Sequence, residues 1–344
     1  MNIDPHHMRW NGVDWVDLFA VETGGSWSTD LRTERYDTQG RFLAGSTRVI
    51  VPHGLRPHLA WNGTGFGLAY LEEFTGNYET ARFLRLDATG GVIPGSDLLL
   101  ASSVTASMDF PMVAWDPINA EYGLTWVNRS NQHVFFQRRD ATGQPLSPVI
   151  TLTQLAWGAH ESSGGTPVRS FNGTWAVVFA DDQTTLALID RQNALTRVAI
   201  ANTDLRGLSL AHDGTTFAIT GCEPVVMPGY TKCRATFLRA TAQGVVPNSR
   251  VTLGTMDFDD SAAVEWTGVD WLVTWNEAHI GGGFGDVWTE RISSTGQVLP
   301  GSRQRLTCSD NNGLPRLIWT GSEARVTWLK VGSLTRQREF VRIP

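Results

Sequence analysis

The chain has 344 residues, of which 41% are hydrophobic and 18% charged, with a formal net charge of −6. Its lysines are Lys232 and Lys330 and it holds no basic run, so it lacks the clustered Lys and Arg of a nucleic-acid groove. No signal peptide is visible, nor an apolar stretch long enough to cross a bilayer as a helix; we expect no nucleic-acid partner, no membrane insertion and a monomer.

The first element is WNGVDWVDLF from Trp10: an aromatic residue, a tight turn and a second strand. The unit returns at Trp61 (WNGTGFGLAY), Trp115 (WDPINAEYGLTW), Phe171 (FNGTWAVVF), His212 (HDGTTFAIT), Trp266 (WTGVDWLVTW) and Trp319 (WTGSEARVTW). The spacings are 51, 54, 56, 41, 54 and 53 residues. A period near fifty marks a propeller or an array.

The second repeat is the clearest. PHLAW is a short apolar run, and Asn62-Gly63 is a turn signal joining antiparallel strands. GFGLAYLE reads as a second strand, ARFLRLD as a third and SDLLLAS as a fourth, with turn ATGGVIPG before the last. Repeats three and six follow the same plan, and no window carries an apolar stripe at helical spacing. Four antiparallel strands per repeat make a propeller blade. The expected fold is therefore all-β: one seven-bladed β-propeller domain over 1–344. Its blades fall near 6–52, 57–102, 111–153, 167–202, 208–254, 262–307 and 315–344.

A blade cannot bury both faces alone, so the anchors Trp61, Trp115, Trp266 and Trp319 are expected to lie largely buried between blades. The Asp-x-x-Gly turn of repeats one to three (Asp37, Asp87, Asp140) diverges to DRQNA in repeat four and TAQGV in repeat five. The last repeat supplies three strands, PRLIW, ARVTWLK and QREFVRI. Its fourth is expected from residues near Met1, or to be absent, and the natural chain is expected to extend upstream of Met1. The sequons at Asn62 and Asn172 read as turn chemistry.

Cys222 and Cys233 flank a hairpin connection in repeat five and can meet disulfide geometry, as suits an exported protein. Cys308 is expected to be a buried small hydrophobe.

The end of each blade that carries the outer-to-inner connections also gathers most of the histidines. His7, His58, Asp109, His160, Asp259 and His279 are candidate catalytic groups, able to act as general acid and base. His7, His58, His160 and His279 are candidate ligands for a divalent metal. His6, Arg56, Phe110, Trp27 and Tyr78 are candidate ligand contacts, because aromatic faces and guanidinium groups suit sugar rings and protein hot spots. No HExxH, GxSxG, P-loop or CxxC motif is present.

The unit W-[N/T]-G-x-x-[W/F]-x-[V/L]-x-[W/Y], followed by R-x-D-x-x-G-x-x-[L/I]-x-G-S, resembles tandem propeller repeats of large secreted and surface proteins of bacteria. It is strongest at Trp10–Gly12, Trp61–Gly63 and Trp266–Gly268 and weakest in repeats four and five. The resemblance implies a propeller in an extracellular setting and carries no catalytic residues. Three functions fit. One is a recognition module for a glycan, peptide or protein. The second is a lyase or hydrolase with one axial His/Asp site, with or without a metal. The third is a purely structural domain. We prefer the first.

Overall fold

A computed structural model describes residues 7–343, apart from 25–27, 73–78, 103–106, 154–165, 181–182, 201–204, 228–229, 258–260, 278–284, 309–311 and 332–335. The described residues contain strands and turns but no helix. They form seven antiparallel sheets in chain order, one per repeat. In the second blade the strands Gly54–Trp61, Gly65–Glu72, Thr80–Asp87 and Leu98–Ala101 lie side by side in sequence order. The seventh sheet has three strands among the described residues, Asn312–Trp319, Ala324–Val331 and Arg336–Ile343.

The W-N-G turn explains the first hairpin of a blade. Oδ1 of Asn62 accepts the amides of Thr64 and Gly65 at 2.9 and 2.8 Å, and Nδ2 donates to the hydroxyl of Tyr122 at 2.8 Å. The first two bonds close an Asx turn; the third ties blade two to blade three. Asn11 does the same, accepting from Val13 and Asp14 and donating to the carbonyl of Ala88.

The anchor aromatics Trp10, Trp61, Trp115 and Trp266 each pair across the turn with the first aromatic of the second strand. Ring centroids are 5.2 Å apart for Trp10 and Trp15, 4.7 Å for Trp61 and Phe66, and 4.8 Å for Trp266 and Trp271. The two members of a pair differ in burial. Trp61, Trp115, Trp266 and Trp319 are only half-buried, whereas Trp15, Phe66, Tyr122, Trp175, Phe217 and Trp271 are sealed. The anchor ends its strand beside an open turn, while its partner begins a strand covered on both faces. Glycine provides the space: a Cβ on Gly67 would meet Tyr122 at 2.5 Å, and one on Gly123 would meet Trp175 at 2.5 Å.

Four inner strands also begin earlier than expected, at Gly54, Met108, Arg206 and Asn312. Each contains a bulge in which two residues face one: Arg56-Pro57 opposite Tyr70, Phe110-Pro111 opposite Trp126, Gly207-Leu208 opposite Gly221, and Leu314-Pro315 opposite Trp328. Proline lacks a ladder donor and belongs at bulges, so Arg-Pro, Phe-Pro and Leu-Pro interrupt the pairing without ending the strand. The first bulge residue is left-handed every time, with φ of 46° at Arg56, 44° at Phe110, 55° at Gly207 and 52° at Leu314.

The divergent turn of repeat four keeps its geometry. Oδ1 of Asp190 accepts the amides of Gln192 and Ala194 at 2.9 and 2.8 Å, and Asn193 takes the place of glycine with φ of 66°. Asparagine tolerates that conformation. In blade five Cys222 and Cys233 form a disulfide with Cα atoms 5.1 Å apart. The strands run past it, Phe217–Met227 against Tyr230–Thr241, so the bond lies within a long hairpin ladder. Cys308 is exposed, contrary to expectation. The outer strand of its blade ends at Arg305 and the last ladder-like bond is made by Leu306, which leaves Cys308 beyond the covered edge.

The chain falls into two compact units. One is Met1–Ala159 with Val168–Ala176 and Ile189–Leu195; the other is His160–Pro167 with Val177–Leu188 and Thr196–Pro344. The first is centred on Leu18, Leu59, Phe66 and Tyr70 and on Phe83, Tyr122 and Trp126. The second is centred on Phe237, Trp271 and Trp275 and on Leu272, Val326 and Trp328.

Candidate binding site at the end of blades two and three

Two of the bulges place unlike side chains together within the first unit. The guanidinium of Arg56, entering blade two, lies over the ring of Phe110, entering blade three, at 4.3 Å from its centroid. Asp109 holds the arginine there: its Oδ1 meets Nη1 of Arg56 at 3.1 Å and accepts the amide of Phe110 at 2.9 Å. Arg129, just after the second strand of blade three, approaches the other oxygen of Asp109 through Nε at 3.4 Å. The Asp109 side chain is 3% exposed, against 25% for Arg56 and 42% for Arg129. The carboxylate is thus the buried pin, and the two guanidinium groups and the ring are the outward surface.

Burial pushes the Asp109 carboxyl above the ordinary carboxylate value, and the charges of Arg56 and Arg129 with the Phe110 amide oppose that rise. The charge of Glu79 also acts on Asp109, so carboxylates and guanidinium groups are interleaved here. A planar guanidinium stacked on an aromatic ring presents apolar area and directed donors together. That combination suits a sugar ring, a peptide carboxylate or a protein side chain.

His7 and His58 also meet, with ring centroids 4.5 Å apart. Both are buried, at 7% and 5% exposure. Nδ1 of His58 accepts the backbone N–H of Val113 at 3.2 Å, which leaves the proton of the neutral ring on Nε2. Of the candidates named from sequence, the structure brings Arg56, Phe110 and Asp109 into one cluster and His7 and His58 into one pair. His6, Trp27, Tyr78, His160, Asp259 and His279 lie outside the described residues. Among the described residues no three His, Cys, Asp or Glu side chains converge as a metal site. Sequence reading missed Arg129 as a partner of Asp109, and missed the bulges; their signal was the proline four residues before Trp61, Trp115 and Trp319.

No protein-family model matches this chain and no curated protein matches it. Solved structures do. The β-propeller domain of the Trilobed protease from Pyrococcus furiosus, which has an open velcro topology, aligns with a TM-score of 0.56 and 7% identity over 99% of this chain and 92% of that one. The Dos1 propeller aligns with a TM-score of 0.52 and 9% identity over 96% of this chain and 76% of that one. A prolyl endopeptidase aligns with a TM-score of 0.50 and 12% identity over 95% of this chain and 46% of that one. With the seven antiparallel sheets in chain order, these likenesses define the class: a seven-bladed β-propeller. At such identities they speak for the fold alone.

Proposed function

We propose that this chain is an extracellular recognition module that binds a glycan, peptide or protein at the end of its blades, with Arg56, Phe110 and Arg129 forming part of the contact surface. The observation that carries this reading is the stack of Arg56 on Phe110, held by a buried carboxylate. Binding surfaces concentrate their energy in arginine and aromatic anchors, and here two strained bulges aim one of each at the same place. The same left-handed bulge recurs at Gly207 and Leu314, so the backbone conformation belongs to the blade plan, and it is the side chains placed on it, Arg56 and Phe110, that support the reading. The enzyme reading has less support, because His58 gives its Nδ1 to a backbone amide and Asp109 is committed to two arginines. The disulfide in blade five and the W-N-G repeats support a secreted or surface setting.

Screening the purified chain against immobilised glycans and a peptide library supplies the test. A bound ligand should be lost, by about tenfold or more in affinity, on Arg56→Ala or Phe110→Ala, while the disulfide and the melting temperature persist. Unchanged affinity in both variants would place the binding surface elsewhere.

A further inference from the structure

Arg316 lies in the inner strand of blade seven, three residues before Trp319. His58 holds that position before Trp61 and Ser209 holds it before His212. The register is the same in all three: each follows the bulge, with Ala69, Thr220 and Thr327 opposite His58, Ser209 and Arg316. The other two act as acceptors. His58 Nδ1 takes the amide of Val113 at 3.2 Å, and Ser209 Oγ takes the amide of Val264 at 3.4 Å. Arginine has five donors and no acceptor. It cannot close such a seam, so its presence calls for a different partner.

No partner is present for Arg316 among the described residues. Its Nε is closed off from solvent and hydrogen-bonds nothing. Arg32, Arg138 and Arg239 share a closed-off Nε, yet each has an ion pair, with Asp30, Glu121 and Asp213. Arg139 is buried without a carboxylate contact, and donates instead to Gln137, Gly143 and Leu99. Arg316 has neither kind of compensation. Burial alone pulls its guanidinium down to about 10. The residue as a whole is half-buried, so the guanidinium is partly desolvated at its Nε side and still reachable. A partly desolvated cation without a counter-charge is costly, and an incoming anion reduces that cost.

We infer that Arg316 is an oxyanion-binding residue, recognising a carboxylate, sulfate or phosphate group of a small ligand from the inner strand of blade seven. The inference does not rest on the Arg56–Phe110 surface. The matching chemistry is the planar fork of the guanidinium, which takes two oxygens of one anion in parallel.

The test is thermal unfolding of the full chain in acetate, sulfate or phosphate, each against chloride at equal ionic strength. The wild-type midpoint should rise with at least one oxyanion beyond the chloride reference, as binding to the native state requires. Acetate against sulfate and phosphate separates a planar from a tetrahedral site. Arg316→Gln should abolish the increment, and Arg316→Lys should weaken the apparent affinity by about tenfold, since a point charge lacks the fork. Arg56→Ala should leave the increment intact, which separates this site from the binding surface proposed above. Equal increments in wild type and Arg316→Gln, or none in the wild type, would overturn the inference. If Arg316→Gln does not fold, an undiminished increment in Arg316→Lys overturns it too.

Discussion

His58 and Val113 form a seam between neighbouring innermost strands: the imidazole Nδ1 of blade two accepts the backbone N–H of blade three at 3.2 Å. Val113 is 1% exposed, so its amide has no water to replace the histidine. His58→Ala should therefore cost about 1–3 kcal/mol, the penalty for an unsatisfied buried donor. Urea unfolding measures it, and an unchanged midpoint would show that the seam does not hold the blades.

A second prediction concerns the bulges. Gly207 sits at φ of 55° where Arg56, Phe110 and Leu314 bear side chains. Gly207→Ala should lower stability by about 1–2 kcal/mol, the cost of a Cβ in the left-handed region. A stabilised variant would mean that the bulge relaxes easily and stores no strain.

The paired aromatics should differ in weight. Trp271 is 0% exposed and contacts the core of the second unit, whereas Trp266 only borders it. Trp271→Ala should cost about 3–5 kcal/mol and Trp266→Ala clearly less. Calorimetry of both variants decides the order; the reverse order would restore the anchor to the centre of the packing.

Acid should loosen the turns. Burial would raise the carboxyls of Asp87, Asp140 and Asp213, but hydrogen bonds outweigh it and hold all three below the ordinary value of 3.8. The donors are Thr89 and Gly91 for Asp87, Thr142 and Gln144 for Asp140, and Thr215 and Thr216 for Asp213. A carboxylate depressed in the folded state stabilises it above the unfolded pKa, and that contribution is lost as pH falls through the folded value. The melting temperature should thus decline below about pH 4, and Asp87→Asn with Asp140→Asn should flatten the decline. An unaltered acid limb in the double variant would assign acid unfolding to other groups.

Reduction of the Cys222–Cys233 bond, with a sequence separation of 11, should cost roughly 2–3 kcal/mol on the chain-entropy model. Unfolding with and without reductant reads it directly. No difference would mean that the long hairpin ladder alone fixes this part of blade five.

The seven repeats, the four-strand plan and the absence of helix among the described residues were legible in the sequence because they rest on local signals: aromatic anchors at a fixed period, Asn-Gly turns and alternating strands. The Cys222–Cys233 pairing was legible for the same reason, as a contact within one hairpin. Other features depend on neighbours. Asn193 kept the fourth turn because backbone conformation, not residue identity, is what the turn requires. The half-burial of Trp61 against the full burial of Phe66 follows from which strand a neighbouring blade covers. Cys308 is exposed because the strand pairing stops three residues before it. Most of all, the sequence set Arg56 and Phe110 apart by more than fifty residues. Two bulges and one buried aspartate in adjacent blades bring them together, and only long-range strand register could decide that.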